Sequence, residues 1–231
     1  MNRIGIIFAM RKELDEFLKL VEFKDENRIY DLVFYSCVIN DKKLFLVESG
    51  VGKVNAARCT QVLIDNMNVD AVINIGVAGS ISEGINVGDI VIGEKLVQHD
   101  FDVTPFDHEK GYIPNVGIYV NSDKKLLSLC KKVKTVVKIH KGVIASGDIF
   151  CNNKKMGLKI NSKFNALCVE MEGASIAQVC YLCNKPFVVI RSISDSLIEN
   201  VDNKITYKEF VIESSKVVAK YLKDLILSIK K

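Results

Sequence analysis

Apolar residues follow two spacings along this chain, and the spacing changes from strand-like to helix-like several times. Residues 71–75 are apolar apart from Asn74, and such a run is typical of a strand covered on both faces of a sheet. In residues 12–22 the apolar side chains recur three or four positions apart, as on one face of a helix. The same patterns predict strands at residues 4–8, 29–39, 43–47, 89–92, 141–145 and 187–193, and helices at residues 54–67, 121–133 and 170–183.

Two local signals add a turn and a final helix. Asn40 and Asp41 separate two strand-like runs and predict a hairpin turn. Thr206 and Glu209 have the spacing of a capping box, which predicts the start of a helix there. Strands that alternate with helices predict an α/β fold, a three-layer α/β/α arrangement with a central mixed β-sheet. Because no linker, repeat or low-complexity tract interrupts the chain, we expect a single domain over residues 1–231.

Composition narrows the class of protein. The 231 residues are 48% hydrophobic and 26% charged, which favours a folded domain over disorder. The net charge is only +4 and the lysines are scattered, so we expect a solvated surface and no nucleic-acid partner. No stretch reaches the roughly 20 apolar residues of a membrane span, and the apolar run at residues 1–10 is too short for a signal peptide. We therefore expect a cytoplasmic protein without a membrane partner.

The cysteines agree with that location. Seven is an odd number, and their spacing forms no regular framework, which indicates reduced thiols inside the cell. Cys180 and Cys183 form a C-x-x-C pair, but no second cysteine pair and no nearby histidine complete a zinc site. We interpret both as small buried apolar residues of a helix, and we expect no metal.

Six segments at strand ends carry glycine or charge, and ligands of α/β sheets gather at the carboxyl ends of strands. The glycine spacing matches neither the phosphate loop nor the dinucleotide fingerprint. The segments are residues 9–13 (AMRKE), 49–53 (SGVGK), 76–79 (GVAG), 146–150 (SGDIF), 169–172 (VEME) and 191–195 (RSISD).

The carboxylates in these segments are more informative than the glycines. Taken alone, Glu13, Glu170 and Glu172 could stabilise helix N-termini, and Asp195 could form a turn. Together with Arg191, they are the groups that acid–base chemistry on a small polar ligand requires. A proton donor needs a raised pKa and a base must stay ionised, and different surroundings can supply both.

Seven motifs occur in an order that identifies a family. They are residues 6–10 (IIFAM), 49–54 (SGVGKV), 87–91 (VGDIV), 99–104 (HDFDVT), 146–148 (SGD), 169–172 (VEME) and 193–195 (ISD). With these motifs the chain, from residue 4 to about residue 219, resembles the 5′-methylthioadenosine/S-adenosylhomocysteine nucleosidases within the purine nucleoside phosphorylase superfamily.

The resemblance implies a homodimer and hydrolysis without a metal or other cofactor. The implied reaction cleaves the N-glycosidic bond of 5′-methylthioadenosine and S-adenosylhomocysteine, and also of 5′-deoxyadenosine, to adenine and the 5′-substituted ribose. It implies that Asp195 protonates N7 of adenine and that Glu13 activates the attacking water. It also implies that Glu172 holds the ribose hydroxyls and that Arg191 lies near the water.

The resemblance also implies how the substrate is held. Met171 would pack on the sugar, Phe150 would stack on adenine, and the backbone of Cys151 would bind the base. The other expected binding residues are Met10, Val51, Val77, Ala78, Gly79, Glu170, Ser194 and Tyr207. Three residues of the partner subunit's copy of one loop, Val103, Phe106 and His108, are expected at the 5′ group.

This sequence departs from the family pattern at four positions. Phe8 stands where glycine is usual, Tyr207 where phenylalanine is usual, and His108 where tyrosine is usual. Val77 replaces a serine whose hydroxyl helps to order the attacking water in the family. We expect this change to slow hydrolysis or to move the water, and the others to affect substrate preference.

Three alternative functions remain open from the sequence. A phosphate-dependent purine nucleoside phosphorylase would need a phosphate site, but residues 74–77 offer neither arginine nor hydroxyl, which leaves Arg11 as a substitute. An aminodeoxyfutalosine hydrolase would use the same chemistry on another 5′ substituent. A non-enzymatic nucleoside sensor is disfavoured because Glu13, Glu172 and Asp195 occur together.

Overall fold

The structure, a computed structural model, describes residues 1–198 and 203–229, without the side chains of residues 24, 203–206 and 209. The strands are β1 (Arg3–Phe8), β2 (Phe23–Ile29), β3 (Leu32–Ile39), β4 (Lys42–Glu48), β5 (Ala71–Ser80), β6 (Ile90–Gln98), β7 (Val120–Asn121), β8 (Ile139–Ser146), β9 (Ala166–Glu170) and β10 (Phe187–Ser196). The helices are α1 (Arg11–Leu18), α2 (Lys53–Met67), α3 (Lys124–Cys130), α4 (Lys154–Phe164), α5 (Gly173–Leu182) and α6 (Asn203–Ser228). One 3-10 turn covers Thr104–Phe106.

The strands form one mixed sheet, as the sequence predicts. Its order runs β2-β3-β4-β1-β5, and β5 pairs in parallel with both β1 and β10. The sheet continues through β10-β6-β8-β9, and β9 pairs back onto β5. Five strands therefore close into a ring, a closure that the pattern of elements did not predict. The closure brings the ends of β5, β9 and β10 together.

Helices cover the sheet on both sides, which confirms the three-layer α/β/α architecture. Successive strand residues point to opposite faces. On β5, Ile73 packs in a core with α1, α3 and α6, whereas its neighbour Val72 packs in a second core with α2 and α5. On β10, Ile190 and Val189 divide between the two cores in the same way. A strand buried on both faces carries mostly apolar side chains on both, which explains why residues 71–75 are apolar apart from Asn74.

Several predicted boundaries are wrong for identifiable reasons. The strand predicted at 29–39 begins only at Leu32 as β3, because Tyr30 adopts φ +56° in the turn after β2, which ends at Ile29. The helix predicted at 121–133 begins only at Lys124, because the Asp123 carboxylate accepts a hydrogen bond from the Leu126 N–H and caps it. The helix predicted at 12–22 ends at Leu18. β2, β9 and α4 were not predicted.

Three further predictions have clear outcomes. Asn40 and Asp41 form the hairpin turn, with φ of +49° and +63°, the geometry that suits the twist of paired strands. α6 already includes Thr206, so the capping-box spacing does not mark its start. The side chains of Thr206 and Glu209 lie outside those described.

All seven cysteines are free thiols, and Cys180 is buried in the core on the α2 and α5 side. Burial raises the pKa of Cys180 above its usual value, which agrees with an inert apolar role for this thiol. In the described part of the chain, no helix has the length and apolar character needed to cross a membrane.

Candidate active site

A pocket of about 190 Å³ lies where the carboxyl ends of β1, β5, β9 and β10 converge. It contains all the residues expected to act on or bind the substrate within one chain, except Arg191. Its lining consists of Ala9, Met10, Glu13, Val51, Val77, Ala78, Gly79, Ile149, Phe150, Cys151, Val169, Glu170, Met171, Glu172, Ser194, Asp195 and Tyr207. Ala9, Ile149 and Val169 were not expected, although each adjoins a residue that was.

Glu13 is held rigidly between β1 and β5. It lies in the first turn of α1, where its Oε2 accepts hydrogen bonds from the Ala9 and Met10 N–H groups at 3.0 Å each. Its Oε1 accepts a third from the Val77 N–H at 3.0 Å. A Cβ on Gly76 would lie 2.7 Å from Oε1, so glycine is needed for this approach. The carboxylate therefore has a fixed position in the pocket wall.

Burial sets the protonation of Glu13. Desolvation raises its pKa, while the charge of Arg191 and the three backbone N–H groups lower it without cancelling the effect. A carboxylate with a raised pKa is a stronger base than an exposed one. Glu13 thus has the geometry and the basicity to take a proton from a water in the pocket.

A β-bulge directs Asp195 into the pocket. In the pairing of β10 with β5, Ile193 lies opposite Ala78 and Asp195 lies opposite Gly79, so Ser194 is the extra residue. Successive residues of a regular strand point to opposite faces, but the bulge lets Ser194 and Asp195 both line the pocket. The Ser194 hydroxyl donates a 2.7 Å hydrogen bond to Oδ1 of Asp195. A side chain at Gly79 would lie 2.9 Å from Oδ2, so Asp195 packs closely on β5.

The two glutamates of the VEME segment have different surroundings. Glu170 is the last residue of β9 and accepts hydrogen bonds on both carboxylate oxygens. Its Oε1 accepts from the Ser146 hydroxyl, and its Oε2 accepts from Arg191. Oε2 also accepts from the Glu172 N–H at 3.1 Å and from the Gly173 N–H at 2.7 Å. Glu170 thus stabilises the N-terminus of α5. We predicted a helix from residue 170, but α5 begins at Gly173 because Glu170 completes a strand and caps the helix.

Glu172 has a weaker set of partners and is nearly buried. Its Oε1 accepts a 2.8 Å hydrogen bond from the Gly52 N–H. Burial and the negative charge of Glu170 raise the pKa of Glu172 to about 8. A group with this pKa changes charge near neutral pH, which is a property of functional carboxylates.

Arg191 lies behind the pocket rather than in its lining. It is buried, and its guanidinium donates to Glu170, to Oδ1 of Asn74 and to the Ile190 carbonyl. Burial alone would lower its pKa, but the charges of Glu170, Glu172 and Glu13 raise it. The sequence analysis did not single out Asn74 or Ser146 as supporting groups. Its position as the one polar residue among residues 71–75 was the available signal for Asn74.

Carboxyl groups outnumber cations around this pocket. Among the described residues, the carboxyl groups of Glu13, Glu170, Glu172 and Asp195 are buried beside the one guanidinium of Arg191. Fixed negative charge in a site of low dielectric stabilises a cation strongly. The arrangement therefore suits a reaction in which positive charge develops on the ligand.

Another part of the pocket lining is aromatic and apolar. The Phe150 ring meets the Tyr207 ring edge to face at a centroid distance of 5.7 Å, and Phe150 remains 42% exposed. The Tyr207 hydroxyl donates to Sδ of Met10 at 3.3 Å, and burial raises the pKa of Tyr207 to about 12. A flat partly exposed ring beside apolar walls suits a planar heterocycle.

The three residues expected from a partner subunit do not line this chain's pocket. Val103 and Phe106 belong to the 3-10 turn region, and Phe106 is 76% exposed. His108 is exposed and stacks on Tyr112, with ring centroids 4.5 Å apart.

Comparison with known proteins gives consistent similarities. A sequence profile of the phosphorylase superfamily matches residues 3–229. A 5′-methylthioadenosine/S-adenosylhomocysteine nucleosidase from Exiguobacterium sp. is 38% identical, over 96% of this chain and 98% of the relative. An aminodeoxyfutalosine nucleosidase from Helicobacter pylori is 38% identical, over 98% and 99%. The crystal structure of the Helicobacter pylori 5′-methylthioadenosine/S-adenosylhomocysteine nucleosidase, complexed with a pyrrolopyrimidine ligand, has a TM-score of 0.94 and 36% identity and covers 99% of both chains.

Proposed function

Because the chain belongs to the phosphorylase superfamily and, within it, to the 5′-methylthioadenosine/S-adenosylhomocysteine nucleosidases, hydrolases of N-glycosidic bonds, we propose that it converts these two nucleosides to adenine and the 5′-substituted ribose. We include 5′-deoxyadenosine, which has the same base and glycosidic bond. The observation that carries the proposal is the pocket with four buried carboxylates and one guanidinium beside an aromatic wall.

The first half of the proposed reaction breaks the C1′–N9 bond. The electron pair of the bond moves to the purine, and Asp195 gives a proton to N7, so adenine leaves as a neutral molecule. The sugar becomes cation-like at C1′, and the surrounding carboxylates stabilise it electrostatically. The bulge at Ser194 supports this role because it directs Asp195 into the pocket.

The second half forms the C1′–O bond. Glu13 accepts a proton from a water whose oxygen attacks C1′, and the raised pKa of Glu13 supports this role as a base. We assign the ribose hydroxyls to Glu172, because a carboxylate that accepts the Gly52 N–H on Oε1 can accept further hydrogen bonds. We assign the stack with adenine to Phe150. Arg191 acts through Glu170 and does not line the pocket.

We also propose that the active form is a homodimer with no metal and no cofactor. Exposed apolar side chains support a covering partner: Val51 and Phe150 in the pocket lining, and Phe106 in the 3-10 turn. Val103, Phe106 and His108 would then complete the 5′ part of the neighbouring pocket. The free thiols support a cytoplasmic location, and the single continuous sheet supports one catalytic domain over residues 1–231.

A second candidate substrate is aminodeoxyfutalosine. It is supported by the Helicobacter pylori nucleosidase of that name, which matches nearly the whole chain at 38% identity. The chemistry would be unchanged, and only the 5′ substituent would differ.

Phosphorolysis has less support. Arg11, the arginine that could hold phosphate, donates to Oδ1 of Asp15 at 2.8 Å and to the Tyr35 hydroxyl at 2.9 Å, and it does not line the pocket. Water is therefore the proposed nucleophile.

The test is a steady-state comparison of adenine release from 5′-methylthioadenosine, S-adenosylhomocysteine and aminodeoxyfutalosine, each with and without phosphate. We expect release from at least the first two at a rate independent of phosphate. A rate that requires phosphate would replace hydrolysis by phosphorolysis, and no release from any of the three would reject the proposed function.

A further inference from the structure

Three charged residues outside the pocket lining form a closed cycle of hydrogen bonds, which we call the Lys53 clamp. The Lys53 N–H donates to Oδ1 of Asp148 at 2.8 Å. The Asp148 N–H donates to Oδ2 of Asp100 at 2.9 Å. The Asp100 Oδ1 then accepts from Nζ of Lys53 at 2.7 Å, which closes the cycle. Each residue of Lys53, Asp100 and Asp148 is thus joined to both of the others.

The clamp joins two loops that border the pocket and lie far apart in the sequence. Lys53 is the first residue of α2 and follows Val51 and Gly52 directly. Asp148 precedes Ile149 and Phe150 directly. Val51, Ile149 and Phe150 all line the pocket, so the clamp fixes the separation of two segments that face the ligand.

Lys53 also connects the clamp to the rest of the fold. Lys53 Nζ also donates to Oε1 of Gln98 at the end of β6, and Gln98 donates from Nε2 to Gln178 on α5 at 2.7 Å. The side chains of Lys53 and Asp100 are each only 17% exposed, so water weakens this pair less than it weakens a surface pair. Desolvation alone would raise the pKa of Asp100, but Lys53 and the Asp148 N–H lower it by more. The pKa of Asp100 therefore lies below its usual value, and the carboxylate stays charged.

The loop that carries Phe150 is exposed up to Cys151, which is buried in an apolar cluster. Asp148, Ile149 and Phe150 are all exposed, so apolar burial contributes little to ordering them. Gly147 lies directly against the buried His99 ring, since a Cβ there would come within 2.4 Å of Nε2. The backbone beyond Gly147 is then directed by the two hydrogen bonds of Asp148 and by the contact of Phe150 with Tyr207.

We propose that Lys53, Asp100 and Asp148 are positioning residues that hold the Phe150 loop against the loop at Val51, and thereby set the affinity of the pocket for the purine base. This inference rests on the proposed function for the identity of the base. A side chain already fixed in its bound position loses less entropy when the ligand binds. Loss of the clamp should therefore weaken ground-state binding, which raises KM with little change in kcat.

The chain offers closely matched variants. Asp148→Ala removes the acceptor for the Lys53 N–H, whereas Asp148→Asn keeps an oxygen in the same place. Lys53→Met keeps the side-chain length and removes Nζ. Lys216→Met is the control, since Lys216 pairs with Glu213 at 2.6 Å on the exposed face of α6. The measurements are kcat and KM for adenine release from 5′-methylthioadenosine, the Kd of free adenine by calorimetry, and Tm.

We expect Asp148→Ala and Lys53→Met to raise both KM and the adenine Kd by about 2- to 12-fold, the range for one typical lost hydrogen bond. Their kcat should stay within about 3-fold, and Asp148→Asn and Lys216→Met should remain close to wild type. Asp148 is exposed, so its variants carry the test if Lys53→Met does not fold.

Three results would overturn the proposal. They are an unchanged KM and Kd in Asp148→Ala, a fall in kcat at constant KM, and an equal defect in Asp148→Asn. A wild-type protein that releases no adenine would instead reject the proposed function. In that case the calorimetric Kd of adenine still tests the clamp if adenine binds, and no binding of adenine overturns it.

Discussion

The Val77 N–H donates a 3.0 Å hydrogen bond to Oε1 of Glu13, so the backbone of β5 holds the carboxylate that we assign to the attacking water. This contact does not depend on the side chain at position 77. The isopropyl group of Val77 lines the pocket where the family pattern has a hydroxyl. The proposed base is therefore held in place, and we expect the attacking water to have one hydrogen-bond partner fewer.

We predict that Val77→Ser raises kcat on 5′-methylthioadenosine by about 2- to 12-fold. This factor corresponds to roughly 0.5–1.5 kcal/mol from one hydrogen bond that acts only in the transition state. Val77→Ala is the matched control because it removes volume without adding a hydroxyl. If Val77 is only packing, both variants should lower Tm and neither should gain rate, and steady-state kinetics with melting curves would separate these outcomes.

Asp195→Asn should reduce kcat by about 10²- to 10⁴-fold while substrate binding is largely retained, because an amide cannot donate the proton that N7 requires. The Asn oxygen can still accept the Ser194 hydroxyl, so the bulge should persist. The measurement is single-turnover adenine release together with the Kd of 5′-methylthioadenosine. A variant that keeps most of its kcat would exclude Asp195 as the acid.

The activity should depend on pH through Glu172. Its pKa is raised to about 8, first by burial and then by the charge of Glu170. Ribose hydroxyls donate to the ionised form, so kcat/KM should rise as the pH increases through about 8. Glu170→Gln removes the like charge, lowers the pKa of Glu172 and should move this rise to lower pH.

The control for this pH profile is Glu172→Gln, which cannot ionise. We expect this variant to lose the rise near pH 8, to raise KM and to lower kcat. The physical reason is that charge-assisted hydrogen bonds contribute roughly 1.5–3 kcal/mol each. A profile that keeps its rise in this variant would assign the titration to another group.

Arg191→Met should lower the free energy of unfolding by about 3–5 kcal/mol, because it leaves the buried Glu170 carboxylate without its cation. Urea denaturation of both proteins at pH 7 would measure the difference. Asn74→Ala removes a neutral partner of the same guanidinium and should cost less. Equal stability of Arg191→Met and wild type would mean that the pair of Arg191 with Glu170 does not stabilise the fold.

Sedimentation at micromolar concentration should give twice the 25.8 kDa mass of the chain. Phe106→Ser should raise KM for 5′-methylthioadenosine more than KM for 5′-deoxyadenosine, because the partner's Phe106 is proposed to meet the 5′ substituent. A fully active monomer would contradict this part of the proposal.

The sequence by itself determined the class of fold and the family. Continuous apolar runs predict buried strands because both faces of such a strand lack water, and this local rule holds for β5 and β10. The order of the motifs identified the family, and the carboxylates at strand ends were recognisable because their types and positions are local features. Predicted strand and helix boundaries were wrong where the backbone conformation of one residue interrupts an apolar run, as Tyr30 does between β2 and β3.

Only the tertiary structure decided what each charged group does. Glu170 and Glu172 are two positions apart and look equivalent in the sequence, yet Glu170 is held by Ser146 and Arg191 while Glu172 is held by Gly52, 120 positions away. The direction of Asp195 depends on a bulge that exists only in the pairing with β5. These roles depend on burial and on hydrogen-bond partners that are distant in the chain. Neither can be predicted from the spacing of residues along the sequence.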